Sequence, residues 1–235
     1  MFLNNFLAFG ITLIIALVWL RLNDFFAHRG WISSTLSRKI IHVGTGPIFV
    51  LCWLFFSETQ TAPFLAAIIP FGITIQFALV GLGVMKDPAS VDSMSRTGDR
   101  HEILRGPLFY GIVFVLLTIL FWRRSPVGIV ALMILCGGDG LADLAGKYFS
   151  SAKLPWSKKK TVAGSMAMLM GSFVFAFSVL WVYVQNGYFP SPVTQYIVPV
   201  GIIALAATLV ESLPFSDVDN ITVPMVSVLL GLWLF

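Results

Sequence analysis

The sequence predicts an all-α polytopic membrane protein of about eight transmembrane helices, and three observations carry that prediction. Of 235 residues, 57% are hydrophobic and only 11% charged, and the mean hydropathy of +0.89 lies well outside the soluble globular range. Apolar stretches recur at the length of about 20 residues that crosses a bilayer as a helix. The basic residues, finally, gather on alternate connections.

Taken in order, the first span is read over Leu3–Leu20, which is apolar up to Arg21 and has no small-residue cleavage site, so it reads as a span and not as a removable signal. Ile40–Phe56 follows the basic pair Arg38-Lys39, and Thr61–Val84 ends just before Lys86. Pro107–Trp122 starts at a Gly-Pro step, where proline suits the first helical turn. Pro126–Leu141 is short and runs into an acidic motif, and for it, as for the short last segment Ile221–Phe235, a broken, re-entrant or tilted segment is an alternative to a simple span. Val162–Gln185, Gln195–Glu211 and the short Ile221–Phe235 complete the set. With the N-terminus outside, thirteen of the fifteen Lys and Arg fall on one face, leaving Arg123 and Arg124 opposite, and every acid but Glu58 joins them. Both termini are then expected on the non-cytoplasmic side.

No internal repeat or low-complexity segment interrupts the chain, which reads as one integral membrane domain over residues 1–235 with cytoplasmic-face loops near 21–41, 85–106, 137–161 and 211–220. Trp19, Trp53, Trp122, Trp181 and Trp233 fall toward span ends, as interfacial anchors should. Cys52 and Cys136 lie in apolar segments and read as small buried hydrophobes. The net charge of +4 is a topology signal and an attraction for lipid headgroups; no nucleic-acid recognition motif accompanies it, and nucleic acid is not an expected partner.

The chemistry concentrates after the fifth span. In Gly137-Gly138-Asp139-Gly140-Leu141-Ala142-Asp143-Leu144-Ala145-Gly146-Lys147, helical spacing puts Asp139, Asp143 and Lys147 on one stripe beside small residues. Carboxylates at a membrane boundary are costly and mark a functional site, and two of them suit Mg²⁺ bound together with substrate phosphates. Their bland alternative is a self-paired span end. Downstream, Lys153 and Lys160-Thr161-Val162-Ala163-Gly164-Ser165 set cations, hydroxyls and a glycine at the start of the sixth span, where free N–H groups and the helix dipole receive an anion. Lys158 and Lys159 read more simply as topology signals.

Arg38, Lys39 and His42 stand at the start of the second span, as a phosphate clamp or as an ordinary positive flank. Arg105 precedes Gly106-Pro107, within reach of headgroups or a phosphate. Glu211, Asp217, Asp219 and Asn220 form a second acidic group, for metal or ribose contacts or as a helix end. No GxxxxGK[ST] loop occurs, so a P-loop nucleotide fold is excluded, and His28 and His101 lack zinc-ligand spacing.

In order along the chain, these motifs are Arg38-Lys39-x-x-His42, Ser95-Arg96-x-Gly98-Asp99 with Glu102-x-Leu104-Arg105-Gly106-Pro107, Gly138-Asp139-Gly140-x-Ala142-Asp143, Ala152-Lys153-Leu154-Pro155, Lys160-Thr161-x-x-Gly164-Ser165, and Glu211-Ser212-Leu213-Pro214 followed by Asp219-Asn220. Together they resemble the phytol, farnesol and dolichol kinase family, membrane enzymes related to phosphatidate cytidylyltransferases, with the phytol kinase branch nearest. Ser150 departs from the family pattern, which has glycine there, and Lys147 stands where many members have arginine, keeping the charge without the bidentate geometry.

The resemblance implies phosphoryl transfer from a nucleoside triphosphate, typically CTP, to the hydroxyl of an isoprenoid alcohol of the phytol, farnesol or geranylgeraniol type, with Mg²⁺. On this reading Asp139 and Asp143, with Glu211, hold the metal. Lys153, Lys160, Arg105 and the Thr161–Gly164–Ser165 helix start neutralise the triphosphate, a task that is mostly positioning and charge. Arg38, Lys39, Lys147, Asp219 and Asn220 are further nucleotide contacts, and Asp139 or His42 orients the alcohol. The expected partners are the prenol, the nucleotide and the bilayer, with a homodimer left open. A CTP-dependent cytidylyltransferase on a lipid phosphate and an ion-coupled transporter are the competing readings. With no Arg- and Ser-rich leader before the first span, the expected location is a bacterial membrane, of the cell or of a cyanobacterial thylakoid.

Overall fold

The computed structural model describes residues 4–95, 97–214 and 218–235, and for Asp24, Ser34, Asp92 and Ser93 the backbone alone. Arg96 and Asp217, both named in the motif reading, lie outside the described residues. Regular structure among the described residues is helical, apart from one isolated bridge between Lys153 and Thr161. Among the described residues, seven helices are long and apolar enough to cross a membrane, and the shorter Asp219–Leu234 adds an eighth apolar helix. The chain divides into two units, Met1–Ile119 and Leu120–Phe235.

In the first unit, α1 (Asn5–His28), α2 (Ser34–Cys52) and α3 (Ala62–Gly81) are long apolar helices. Asn4 and Ser33 cap the first two by accepting from Phe6 N and Leu36 N. Gly44 lets the Trp19 ring lie directly on α2, since a Cβ there would overlap it. The Asn5 side chain donates to Thr59 Oγ1 and accepts from both Ser57 N and Ser57 Oγ, which ties the start of α1 to the α2–α3 connection. The short α4 (Pro88–Met94) is capped by Asp87, whose carboxylate also accepts from Ser90 Oγ and Gln76 Nε2. Before α5 (Gly106–Leu120), the loop folds on itself: Thr97 donates twice to Glu102, and Gly98 N to Ser95 Oγ.

In the second unit, α6 (Pro126–Met133), a π-helical turn (Ile134–Asp139) and α7 (Gly140–Tyr148) make one rod that extends past the expected end at Leu141. Every residue from Val127 to Gly138 is buried. Against the rod lie α8 (Val162–Gln185) and α10 (Asp219–Leu234), and α9 (Ile197–Glu211) packs on both α8 and α10. The contact between the rod and α8 is a glycine seam: a Cβ on Gly171 would lie 2.9 Å from the Gly137 carbonyl oxygen, and one on Gly164 3.0 Å from that of Ala142. Small residues let membrane helices approach this closely. Of the expected tryptophan anchors, Trp181 and Trp233 are exposed as anchors should be, whereas Trp53 and Trp122 are buried and pack in the core.

Candidate functional site at the π-turn

Three stretches meet at one end of the second unit. The rod supplies Asp139 at the last residue of the π-turn. The segment before α8 supplies Lys160: Leu154 N donates to Lys160 O at 3.0 Å and Val162 N to Ala152 O at 3.0 Å, closing a small hairpin that puts Lys153 opposite Thr161. The Trp156 indole N–H donates to Ser212 O at 3.1 Å and pins that hairpin to the end of α9. Glu211, the last residue of α9, and Asp219, the first of α10, complete the group.

One carboxylate oxygen each from Asp139, Glu211 and Asp219 lie within 4.8 Å of one another. Lys160 Nζ donates to Glu211 Oε1 and, at 3.0 Å, to Asp219 Oδ2. Burial pushes the Lys160 ammonium down, but the two carboxylates outweigh it and hold the amine above its usual range. An all-oxygen, anionic donor set fits a hard divalent ion such as Mg²⁺ better than a soft-ligand metal.

The neighbouring helix start has the features of an anion site. Thr161 Oγ1 accepts from Gly164 N at 3.1 Å. Gly164 is buried, and Ser165 Oγ is buried with no hydrogen-bond partner among the described residues. Gly146 of α7 faces this turn, since a Cβ on it would stand 3.2 Å from Thr161 Oγ1. The N–H groups of this first turn are already taken, Val162 N by Ala152 O, Ala163 N by Ser151 Oγ, Gly164 N by Thr161 Oγ1 and Ser165 N by Thr161 O. The free N–H groups expected from the sequence are therefore not found, and what stands beside the carboxylate group is a hydroxyl-bearing helix start with the positive end of its dipole.

The expected residues are distributed as follows. Asp139 and Glu211 share the carboxylate group, and Asp219, read beforehand as a nucleotide contact, joins them, with Asn220 next to it in the first turn of α10. Asp143 does not: it lies four residues on, about 6 Å along the axis, and accepts from Lys147 Nζ at 3.1 Å. Lys153 is exposed on the hairpin. Arg38, Lys39, His42 and Arg105 belong to the first unit, where Arg38 donates to Ser95 O at 3.3 Å, the His42 ring lies 4.6 Å from that of Tyr110, and Tyr110 donates to His42 O. Sequence reasoning missed the π-turn and Ser172. The latter's hydroxyl is wholly buried against Gly138, and its only advance signal is that Gly171-Ser172 recurs one heptad after Gly164-Ser165.

Comparison with known proteins then fixes the lineage. A Triticum aestivum protein named "Probable phytol kinase, chloroplastic" is 41% identical over 231 residues, covering 96% of this chain and 77% of its own. The chain belongs to the phytol and farnesol kinase family. Within this family, the Arabidopsis thaliana "Farnesol kinase, chloroplastic" is 37% identical, covering 99% of this chain and 76% of its own, and "Phytol kinase 1, chloroplastic" of the same plant is 36% identical over 86% and 67%. Family membership makes the chain a kinase with an alcohol acceptor. No family profile matches the chain, and no solved structure does. The bacterial location expected from the sequence is corrected by these relatives, which are chloroplast proteins of plants.

Proposed function

We propose that this chain is a CTP-dependent kinase of isoprenoid alcohols, working at the inner, basic face of its membrane. The observation that carries the reading is the carboxylate group of Asp139, Glu211 and Asp219 set beside the Thr161–Ser165 helix start. When bound, Mg²⁺ would be held by those three carboxylates and would supply charge neutralisation on the triphosphate.

The chain's own residues do the rest by positioning and electrostatics. The Thr161 and Ser165 hydroxyls present O–H donors to phosphate oxygens at the positive end of α8, Gly164 leaves them room, and Lys153, opposite Thr161 on the hairpin, adds a cation. Lys147 holds Asp143 through the 3.1 Å pair. Asp143, one helical turn beyond the metal group, takes the proton from the prenol hydroxyl. The alcohol oxygen then bonds to the γ-phosphorus, the bond from that phosphorus to the β–γ bridging oxygen breaks, and CDP leaves. The isoprenoid tail stays among the spans, so the hydroxyl reaches the interface from within the bilayer. The relatives' names favour phytol or farnesol as the acceptor and a plastid membrane as the setting.

The test is to incubate the detergent-purified chain with Mg²⁺, phytol or farnesol, and CTP labelled at either the γ or the α phosphate. Lipid labelled from the γ position alone is the expected result. Labelling from the α position, with a lipid phosphate as acceptor, would replace this reading by a cytidylyltransferase, and no transfer from either would remove both.

A further inference from the structure

The cation held by two of the three carboxylates is part of the protein. Lys160 Nζ contacts Glu211 and Asp219, and one carboxylate oxygen each from these two and Asp139 lie within 4.8 Å of one another. The Lys160 side chain is 23% exposed and that of Glu211 5% exposed, so water screens little of the repulsion among three like charges at this separation. One ammonium offsets one of them. A divalent ion would sit about 2.1 Å from such oxygens, in the space the ammonium fills, so cation and ammonium cannot both hold the contact position. The Lys160 backbone is fixed by Ser157 Oγ at its N–H and by Leu154 N at its carbonyl. Its four-carbon stem, by contrast, turns freely, and the adjoining residue is Thr161, the cap of the anion-receiving helix start.

We propose that Lys160 is the resident counter-cation of this group, that it yields its place to the divalent ion, and that its freed ammonium is taken up by the phosphates arriving with that ion. The inference rests on the reading of Asp139, Glu211 and Asp219 as the metal site. Its consequence is selectivity: a bare ion must evict Lys160 into water, whereas a metal–triphosphate complex evicts it and receives it. The site thus prefers the complex over either component, and the lysine offsets one of the three carboxylate charges between turnovers.

The test uses the full chain in detergent with Mn²⁺, whose binding is read by electron paramagnetic resonance. Lys160→Met keeps the stem and removes the charge. It is expected to bind Mn²⁺ alone roughly tenfold or more tightly than the unaltered chain, as removal of a competing unit charge at this range requires, and to lose most of the enhancement that CTP gives. Equal or weaker binding of Mn²⁺ alone would overturn the exchange.

A second measurement needs no variant. Acylation of the Lys160 amine, read by mass spectrometry, should rise severalfold with Mn²⁺ and fall again with Mn²⁺ and CTP together, while Lys158 and Lys159 stay constant. Lys160 labelling that Mn²⁺ leaves unchanged, although Mn²⁺ binds, would also overturn it. Mn²⁺ binding that Asp139→Asn does not weaken would overturn the metal site itself, and the exchange with it.

Discussion

Ser172 on α8 holds its hydroxyl where a Cβ on Gly138 would stand, and Met168 Sδ closes the same space at 2.8 Å from that point. Among the described residues, seven other helix hydroxyls donate to the carbonyl four residues back, including Thr118 to Phe114, Thr208 to Ala204 and Ser227 to Val223. Ser172 does not, and it is turned toward the π-turn that presents Asp139. Gly138→Ala should therefore destabilise the protein by about 1–3 kcal/mol through overpacking and impair turnover by displacing Asp139. Thermal unfolding in detergent measures the first, and the double variant Gly138→Ala/Ser172→Ala should recover part of the loss. No recovery in the double variant would show that the hydroxyl is not the obstacle.

The two carboxylate sets have different roles and should fail differently. Asp139→Asn and Glu211→Gln are expected to raise the Mg²⁺ concentration for half-maximal turnover at least about tenfold. Asp143→Asn should leave that concentration alone and lower kcat on the order of 100-fold, the usual worth of a positioned base. A Mg²⁺ titration of turnover for each variant reads both effects.

Lys147 and Asp143 form an i, i+4 pair with side chains 51% and 35% exposed. Solvent screening holds such pairs to roughly 0.5 kcal/mol or less. Lys147→Ala should leave the melting temperature nearly unchanged, and a large drop would mean that the pair is buried by something else.

Asn5 makes three hydrogen bonds to the α2–α3 connection. Asn5→Ala leaves the Ser57 and Thr59 groups to find other partners and should cost about 1–3 kcal/mol, with kcat intact below the transition. Parallel melting and activity curves would check both halves of that statement.

Ser90 hydroxyl and backbone bonds, with help from Gln76, hold the Asp87 carboxyl below the usual carboxylate range. A group whose folded value is lowered binds its proton more weakly folded than unfolded. Its contribution is therefore present above the unfolded value of about 3.9 and fades as pH falls through the folded value. Asp87→Asn should flatten the acid side of the stability profile below about pH 4 and leave its slope near neutrality alone. Melting temperatures across that range are the check.

Hydropathy alone made the spans legible, because a bilayer demands long apolar helices and little else satisfies the backbone there. The site was legible in part. The costly charges Asp139, Lys160 and Glu211 stood out by residue type and place, but their partnership did not: Glu211 and Asp219 reach Lys160 across 51 and 59 residues of sequence. Asp143 was grouped with Asp139 because helical spacing puts both on one stripe, and spacing says nothing of which end of the stripe meets α9. The π-turn left no periodic signature, since one widened turn spans only Ile134–Asp139.

The glycine seam also determines how the site ages under mutation. Where α8 rests on the rod, at Gly171 over Gly137 and Gly164 over Ala142, a main-chain carbonyl oxygen stands in the way of any added group, and it cannot turn aside as the Leu141 side chain beside Gly171 could. An inserted methyl acts as a wedge, and a wedge between two rods swings their far ends by more than its own thickness. Asp139 and Thr161 lie on those rods, so their spacing is copied from main-chain geometry, which thermal rotamer hopping does not blur. The same arrangement leaves drift in sequence few routes through this seam that do not also move the chemistry.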